Sequence, residues 1–172
     1  MFKPAIHWVS GLEPHRLALM PRPFGGDWLA EEIEGWREAG VTSVVSLLEW
    51  NEARDLELEK EEVLCANSGM RFRSFPIKDR GTPVAVPAVS ALVTALAAEL
   101  AAGEAVVIHC RGGIGRTGLI AGCLLHVLGI PQRDILPLLS RARGVSVPDT
   151  PEQEEWLQQF VQTHSTISSS SS

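Results

Sequence analysis

The stretch Ala105-Val106-Val107-Ile108-His109-Cys110-Arg111-Gly112-Gly113-Ile114-Gly115-Arg116-Thr117-Gly118 decides how this chain is read. Ala105 to His109 is a short apolar run rich in β-branched residues, the pattern of a buried strand. Glycines at 112, 113 and 115 follow it directly. Arg116 to Leu128 is then apolar nearly all round, as a helix at the centre of a domain would be. Glycines let the backbone between strand and helix curl so that successive N–H groups point at one spot. The positive end of the helix dipole adds to the same spot. The segment therefore predicts a cradle for a phosphate-like anion.

Working outward, Ala5 to Val9 and Leu17 to Met20 read as two opening strands separated by Gly11 and Pro14. Asp27 is placed to cap a helix carrying Trp28, Leu29, Ile33 and Trp36, with Gly40 at its end. Thr42 to Leu48 reads as a strand covered on both faces. Asn51 to Asn67 reads as one charge-rich helix with Leu56, Val63 and Leu64 on its apolar side, and Arg71 to Ile77 as a further strand. Lys78 to Val86 is a loop containing Gly81 and Pro83. Helices are expected from Pro87 to about Ala102, from Pro131 to Arg141 and from Pro151 to His164.

Strand and helix alternate, so the fold class is α/β: a single domain with a central, mostly parallel twisted sheet of four to five strands flanked by helices. Residues 1–166 form that domain, and the serine tail at 167–172 is expected to be disordered. Ligands of such sheets bind outside the carboxyl ends of the strands. Three loops converge there: Glu49 to Glu52, Lys78 to Val86 and Cys110 to Gly115.

The 172 residues carry a formal net charge of −6, which gives no global attraction to nucleic acid or to acidic membranes. No run of about 18 apolar residues and no signal-peptide core is present, so a cytoplasmic location is expected. Cys65, Cys110 and Cys123 are an odd count at irregular spacing, which suits free thiols in a reducing compartment. No Cys or His grouping has metal-ligand spacing, and neither metal nor cofactor is expected.

Cys110 opens the cradle among amide donors, a helix N-terminus and Arg116, surroundings that favour thiolate over thiol. Cys110 and Arg116 can face each other across one loop. The planar guanidinium can then hold two phosphoryl oxygens while sulfur attacks phosphorus in line. Arg111, Gly112, Gly113, Ile114 and Gly115 complete the phosphate-binding ring.

His109, Cys110, Arg116, Thr117 and Gly118 match the signature of the protein tyrosine phosphatase superfamily, which this sequence resembles at each of those positions. The resemblance implies that His109 orients the loop and tunes the thiolate, and that the Thr117 hydroxyl eases departure of the sulfur. For His109, a satisfied core histidine at a strand end is an equal reading. Asp79 follows a strand and lies upstream of Cys110, as the family's proton donor does. The segment Phe75-Pro76-Ile77-Lys78-Asp79-Arg80-Gly81-Thr82-Pro83 is similar to the acid loop of the kinase-associated branch of small dual-specificity phosphatases. Asp79 is accordingly assigned as acid and then base.

Gln153 resembles a glutamine that positions water in some relatives, but at a helix start it reads as a surface residue. Arg80, Glu49, Trp50 and Asn51 read as loop residues near the cleft, Cys65 as an inert helix thiol and Cys123 as packing. The expected substrate is a phosphoprotein carrying phosphotyrosine, with phosphoserine and phosphothreonine as further substrates, turned over by a monomer. Three alternatives stay open. One is the same chemistry on a phosphoinositide, an inositol phosphate or an RNA 5′-phosphate, and another is a module that binds phosphoproteins without hydrolysis. The third is sulfur transfer of the rhodanese kind.

Overall fold

The structure is a computed structural model, described for residues 3–164. The expected serine tail lies outside the described residues. Strands β1 (His7–Trp8), β2 (Arg16–Met20), β3 (Ser43–Ser46), β4 (Arg71–Ser74) and β5 (Ala105–His109) form one sheet in the order β1-β2-β5-β3-β4. β1 runs antiparallel to β2, and every other pairing is parallel. The helices are α1 (Leu29–Glu38), α2 (Trp50–Asp55), α3 (Glu61–Asn67), α4 (Val86–Ala101), α5 (Gly115–Val127), α6 (Gln132–Arg143) and α7 (Pro151–Thr163).

β5 is the central strand because its residues can be covered on both faces. Val106 and Ile108 join a core with Leu96 of α4, Leu124 of α5, Leu139 of α6 and Leu157 of α7. Val107, on the opposite face, packs with Ile33 and Trp36 of α1 and Cys65 of α3. This alternation is the period-two rule of a strand buried on both sides. Among the described residues no helix is long and apolar enough to cross a membrane.

In the registered pairings His109 lies beside Met20 on one side and Ser46 on the other. The parallel strands therefore end together, and the chain segments after β2, β3 and β5 leave the sheet at one edge. That edge carries the glycine-rich loop.

Two local expectations are corrected. Residues 51–67 form not one helix but two, because the chain turns at Glu57, whose φ of 58° lies in the left-handed region and cannot continue a helix. Val63, expected on the apolar side, is exposed. Asp27 does not cap α1 but sits inside a 3-10 turn, Gly26–Trp28, and Trp28 occupies the cap position with its ring exposed. Close packing of Gly25 on the Leu56 carbonyl, where a Cβ would come within 1.9 Å, holds the chain in this tighter turn.

Trp36 has no exposed surface and fills the face of the sheet behind β5, with its ring centroid 6.4 Å from that of His109. Trp36→Ala should lower unfolding free energy by about 3–5 kcal/mol. Urea unfolding followed by far-UV circular dichroism checks the value.

Candidate active site

The loop from Cys110 to Gly115 is shaped from outside by donors to its carbonyls. The Cys110 carbonyl faces His109 Nδ1 at 3.4 Å, the Arg111 carbonyl accepts from Arg22 N at 3.1 Å, and the Gly112 carbonyl accepts from Arg143 Nη2 at 3.0 Å. In a trans peptide the N–H points opposite to the C=O. Each tethered carbonyl therefore turns the next N–H, those of Arg111, Gly112 and Gly113, toward the space the loop encloses. Gly113 has φ of 72°, and a Cβ there would lie 2.5 Å from the Met20 backbone, so only glycine fits. Gly115 is similarly close to α7, where a Cβ would lie 2.9 Å from Gln153 Oε1.

Cys110 and Arg116, both buried, line a small cleft of about 100 Å³ together with Asp79, Arg80, Gly112, Ile114, Gly115, Asp149 and Gln153. Larger hollows elsewhere, such as one of about 510 Å³ between α6 and α7, contain none of these groups. Of the sequence-derived site residues, Cys110, Arg116, Asp79, Gly112, Ile114 and Gly115 thus share this cleft, whereas His109, Gly113 and Thr117 are not part of its lining and Arg111 is exposed, with its Nε 3.8 Å from Glu52.

Arg116 is a buried cation whose donors are anchored. Its Nη1 donates to Glu52 Oε1 at 2.6 Å and to the Ile77 carbonyl at 2.8 Å, while Nη2 donates to Glu52 Oε2 at 3.0 Å and to Asp79 Oδ1 at 3.1 Å. The pairing with Glu52 is bidentate, which fixes the plane of the guanidinium. Burial works against the charge on Arg116, but the Glu52 hydrogen bond and the charges of Cys110, Glu52 and Asp79 outweigh it and raise the pKa above the ordinary arginine value. Burial alone would raise Glu52, yet Arg116 and the Glu49 N–H hold it below the usual carboxylate range.

Glu52 was not singled out from the sequence. The convergence of strand ends placed residues 49–52 near the cleft, but nothing local distinguished Glu52 from its neighbours. Trp50 and Asn51 point to solvent instead. The reading of Gln153 is corrected: it is fully buried. Its backbone N–H is capped by Thr150 Oγ1 at 3.1 Å, its Oε1 accepts from Asp149 N and Thr150 N, and its Nε2 donates to the Gly81 carbonyl at 3.1 Å. The capping of α7 turns this side chain inward, where it ties the Asp79 loop to the helix. Arg80 adds an exposed ion pair with Asp149 at 2.8 Å.

His109 is fully buried, and its Nε2 lies 2.6 Å from Oε2 of the buried Glu61. Thr117 is buried, and among the described residues its hydroxyl has no hydrogen-bond partner. The other two thiols are set apart from this chemistry. Burial and the charge of Glu61 push Cys65 up to about 12, and burial also raises Cys123.

With this geometry established, comparison with known proteins assigns the family. Residues 6–169 match the family model described as Swiss Army Knife protein, DSP-PTPase phosphatase domain. The chain belongs to this family. The tyrosine-phosphatase-like protein 067L of Invertebrate iridescent virus 3 is 34% identical over 143 residues, covering 77% of this chain and 55% of that protein. Cyclin-dependent kinase inhibitor 3 of Rattus norvegicus is 27% identical over 134 residues, covering 77% of this chain and 63% of that protein. The chain thus spans less than two thirds of the length of both relatives. The crystal structure of kinase associated phosphatase with its catalytic cysteine replaced by serine superposes with a TM-score of 0.84 at 22% identity, over 95% of this chain and 99% of that one. The DSP-PTPase fold of this chain is therefore the single α/β domain described above.

Glu52→Ala should leave Arg116 buried without its anchor. Misplacement of a catalytic group by an ångström costs on the order of 100-fold, so kcat/KM for an aryl phosphate should fall by about that factor. Steady-state kinetics with a chromogenic aryl phosphate checks this.

Proposed function

We propose that this chain hydrolyses phosphate monoesters on proteins, phosphotyrosine first and phosphoserine and phosphothreonine as well, through a phosphocysteine intermediate. The observation that carries the reading is that Cys110, Arg116 and Asp79 line one small cleft, at a loop whose Cys110, Arg111 and Gly112 carbonyls are contacted by other parts of the protein. A phosphoryl group entering the ring takes hydrogen bonds from those N–H groups and from Arg116. It competes with the Asp79 carboxylate for Nη2, and Asp79, once released, takes up a proton from solvent and turns toward the leaving oxygen.

The Cys110 thiolate then attacks phosphorus, the P–O bond to the leaving group breaks, and protonated Asp79 donates its proton to the departing oxygen. The Asp79 carboxylate next takes a proton from a water that attacks the phosphocysteine, and the sulfur leaves as thiolate. Thr117, with its buried hydroxyl uncommitted, is suited to donate a hydrogen bond to that sulfur. Gln153 supports the Asp79 loop from behind through Gly81.

A cleft of about 100 Å³ accepts a phosphoryl group and little more. The rest of the substrate lies at the surface, an arrangement tolerant of both long and short phosphorylated side chains. A reduced Cys110 is required, and Cys65 and Cys123 are also free thiols, so we place the reaction in the cytoplasm. The relatives support the same assignment by what they are called, a tyrosine phosphatase-like protein and a kinase-associated phosphatase.

Cys110→Ser should abolish turnover of phosphotyrosine peptides while tungstate binding, measured by calorimetry, persists; unchanged turnover would remove the mechanism. A panel of phosphopeptides, phosphoinositides, inositol phosphates and a 5′-phosphorylated RNA, ranked by kcat/KM, checks the substrate class.

Asp79→Ala should lower kcat by about 10²–10⁴-fold. It should also flatten the basic limb of the pH profile, because activity falls on that side as a required acid loses its proton. A basic limb that survives the substitution would assign the proton to another group.

A further inference from the structure

Three buried titratable side chains lie behind the cleft and take no part in the steps above: His109 on β5, Glu61 on α3 and Glu32 on α1. His109 has acceptors on both ring nitrogens. Nε2 is 2.6 Å from a carboxylate oxygen of Glu61, and Nδ1 faces the Cys110 carbonyl at 3.4 Å. A neutral imidazole has one N–H, and a carbonyl can only accept. The Nδ1 side is therefore satisfied only if Nδ1 carries a proton. The carboxyl of Glu61 satisfies the other side, either as a carboxylate against an imidazolium or as a carboxylic acid donating to a bare Nε2. Both arrangements put a hydrogen on Nδ1.

We infer that Glu61 is a positioning residue of the phosphate loop: by holding Nε2 it fixes the buried His109 ring with Nδ1 toward the Cys110 carbonyl, to which Nδ1–H donates. That contact turns the Cys110–Arg111 peptide so that the Arg111 N–H faces the anion and the sulfur. The inference rests on the phosphatase reading and extends it to a residue 48 positions from His109 in sequence and on the far side of β5 from the helix that carries Arg116. It also explains why a glutamate is tolerated at 2% exposure close to the thiol of Cys65. An unpaired carboxylate there would be strongly destabilising.

His109 is faced by Glu61 from α3, by Glu32 and Trp36 from α1, and by the carbonyl of Cys110, the residue that follows its own strand. Glu32 is committed elsewhere, accepting from Phe24 N at 2.8 Å. It reaches His109 only through space. Burial opposes a charge on His109, but Glu61 first, then the Cys110 carbonyl and Glu32, raise its pKa above the ordinary histidine value.

Two measurements on the full chain test the assignment. In the unaltered protein, the ¹⁵N shifts of the His109 ring should report a protonated Nδ1 between about pH 6 and 9, a range spanning the ordinary histidine transition near 6.5. A bare Nδ1 with hydrogen on Nε2 overturns the assignment without any variant. Second, the pH dependence of Cys110 alkylation by iodoacetamide and the affinity for tungstate are compared in Glu61→Leu, Glu61→Gln and Glu99→Gln.

Glu61→Leu should move the alkylation midpoint upward by about one pH unit and weaken tungstate by roughly tenfold. Glu61→Gln should give a smaller change in the same direction, since its amide can donate to Nε2 and keep the ring oriented without the charge. Glu99 is comparably buried but bound to Arg71 and Arg73 at the far edge of the sheet. Its substitution should lower Tm and leave both readouts in place. Folded Glu61 variants with the midpoint and tungstate Kd of the parent would overturn the inference. An unaltered protein in which Cys110 alkylates like a free thiol would sink the phosphatase reading instead, leaving the nitrogen shifts to decide the role of Glu61.

Discussion

The site depends on one buried cation being held without being consumed. Arg116 has almost no solvent contact, so its charge is tolerable only with donors matched to acceptors. Glu52 takes one edge of the guanidinium in a bidentate pair, and the Ile77 carbonyl takes a further donor. Asp79, half exposed on a loop, is the partner that the proposed mechanism exchanges for an incoming phosphoryl group. In the proposed reaction, the bidentate anchor on one side and the half-exposed carboxylate on the other suit Arg116 to receive an anion rather than to remain half of a closed salt bridge.

The sheet explains why these groups meet. Parallel strands bring their carboxyl ends to one edge, and β5 in the middle places Cys110 between the segments that follow β2 and β3. Helix α5 begins at the loop and is buried along its length, so its N-terminus cannot drift from the anion site. Gly118 and Gly122 let α5 approach Val147 and Leu157 closely. The start of α7 then supports the Asp79 loop through Gln153.

Much of this was legible locally. The run Ala105 to His109, the glycines after Cys110 and the apolar helix beyond them specify strand, ring and helix through short-range pattern, and the structure reproduces those bounds almost to the residue. What escaped is what depends on distant partners. Glu52 meets Arg116 across 64 positions and Glu61 meets His109 across 48, and no periodicity marks either as different from neighbouring glutamates. The break at Glu57 carried no glycine or proline to announce it. Gln153 read as a surface residue because a capping glutamine is ordinarily solvated, whereas here its helix start is pressed against Gly115.

The tethers on the outside of the phosphate loop come from three separate parts of the molecule: the segment after β2, the end of α6, and α3 acting through the strand-end histidine. No segment of the ring holds its own shape. Competence for anion capture is therefore a collective property of the tertiary assembly, and a fluctuation that lifts one of these remote supports weakens it while most of the secondary structure stays intact.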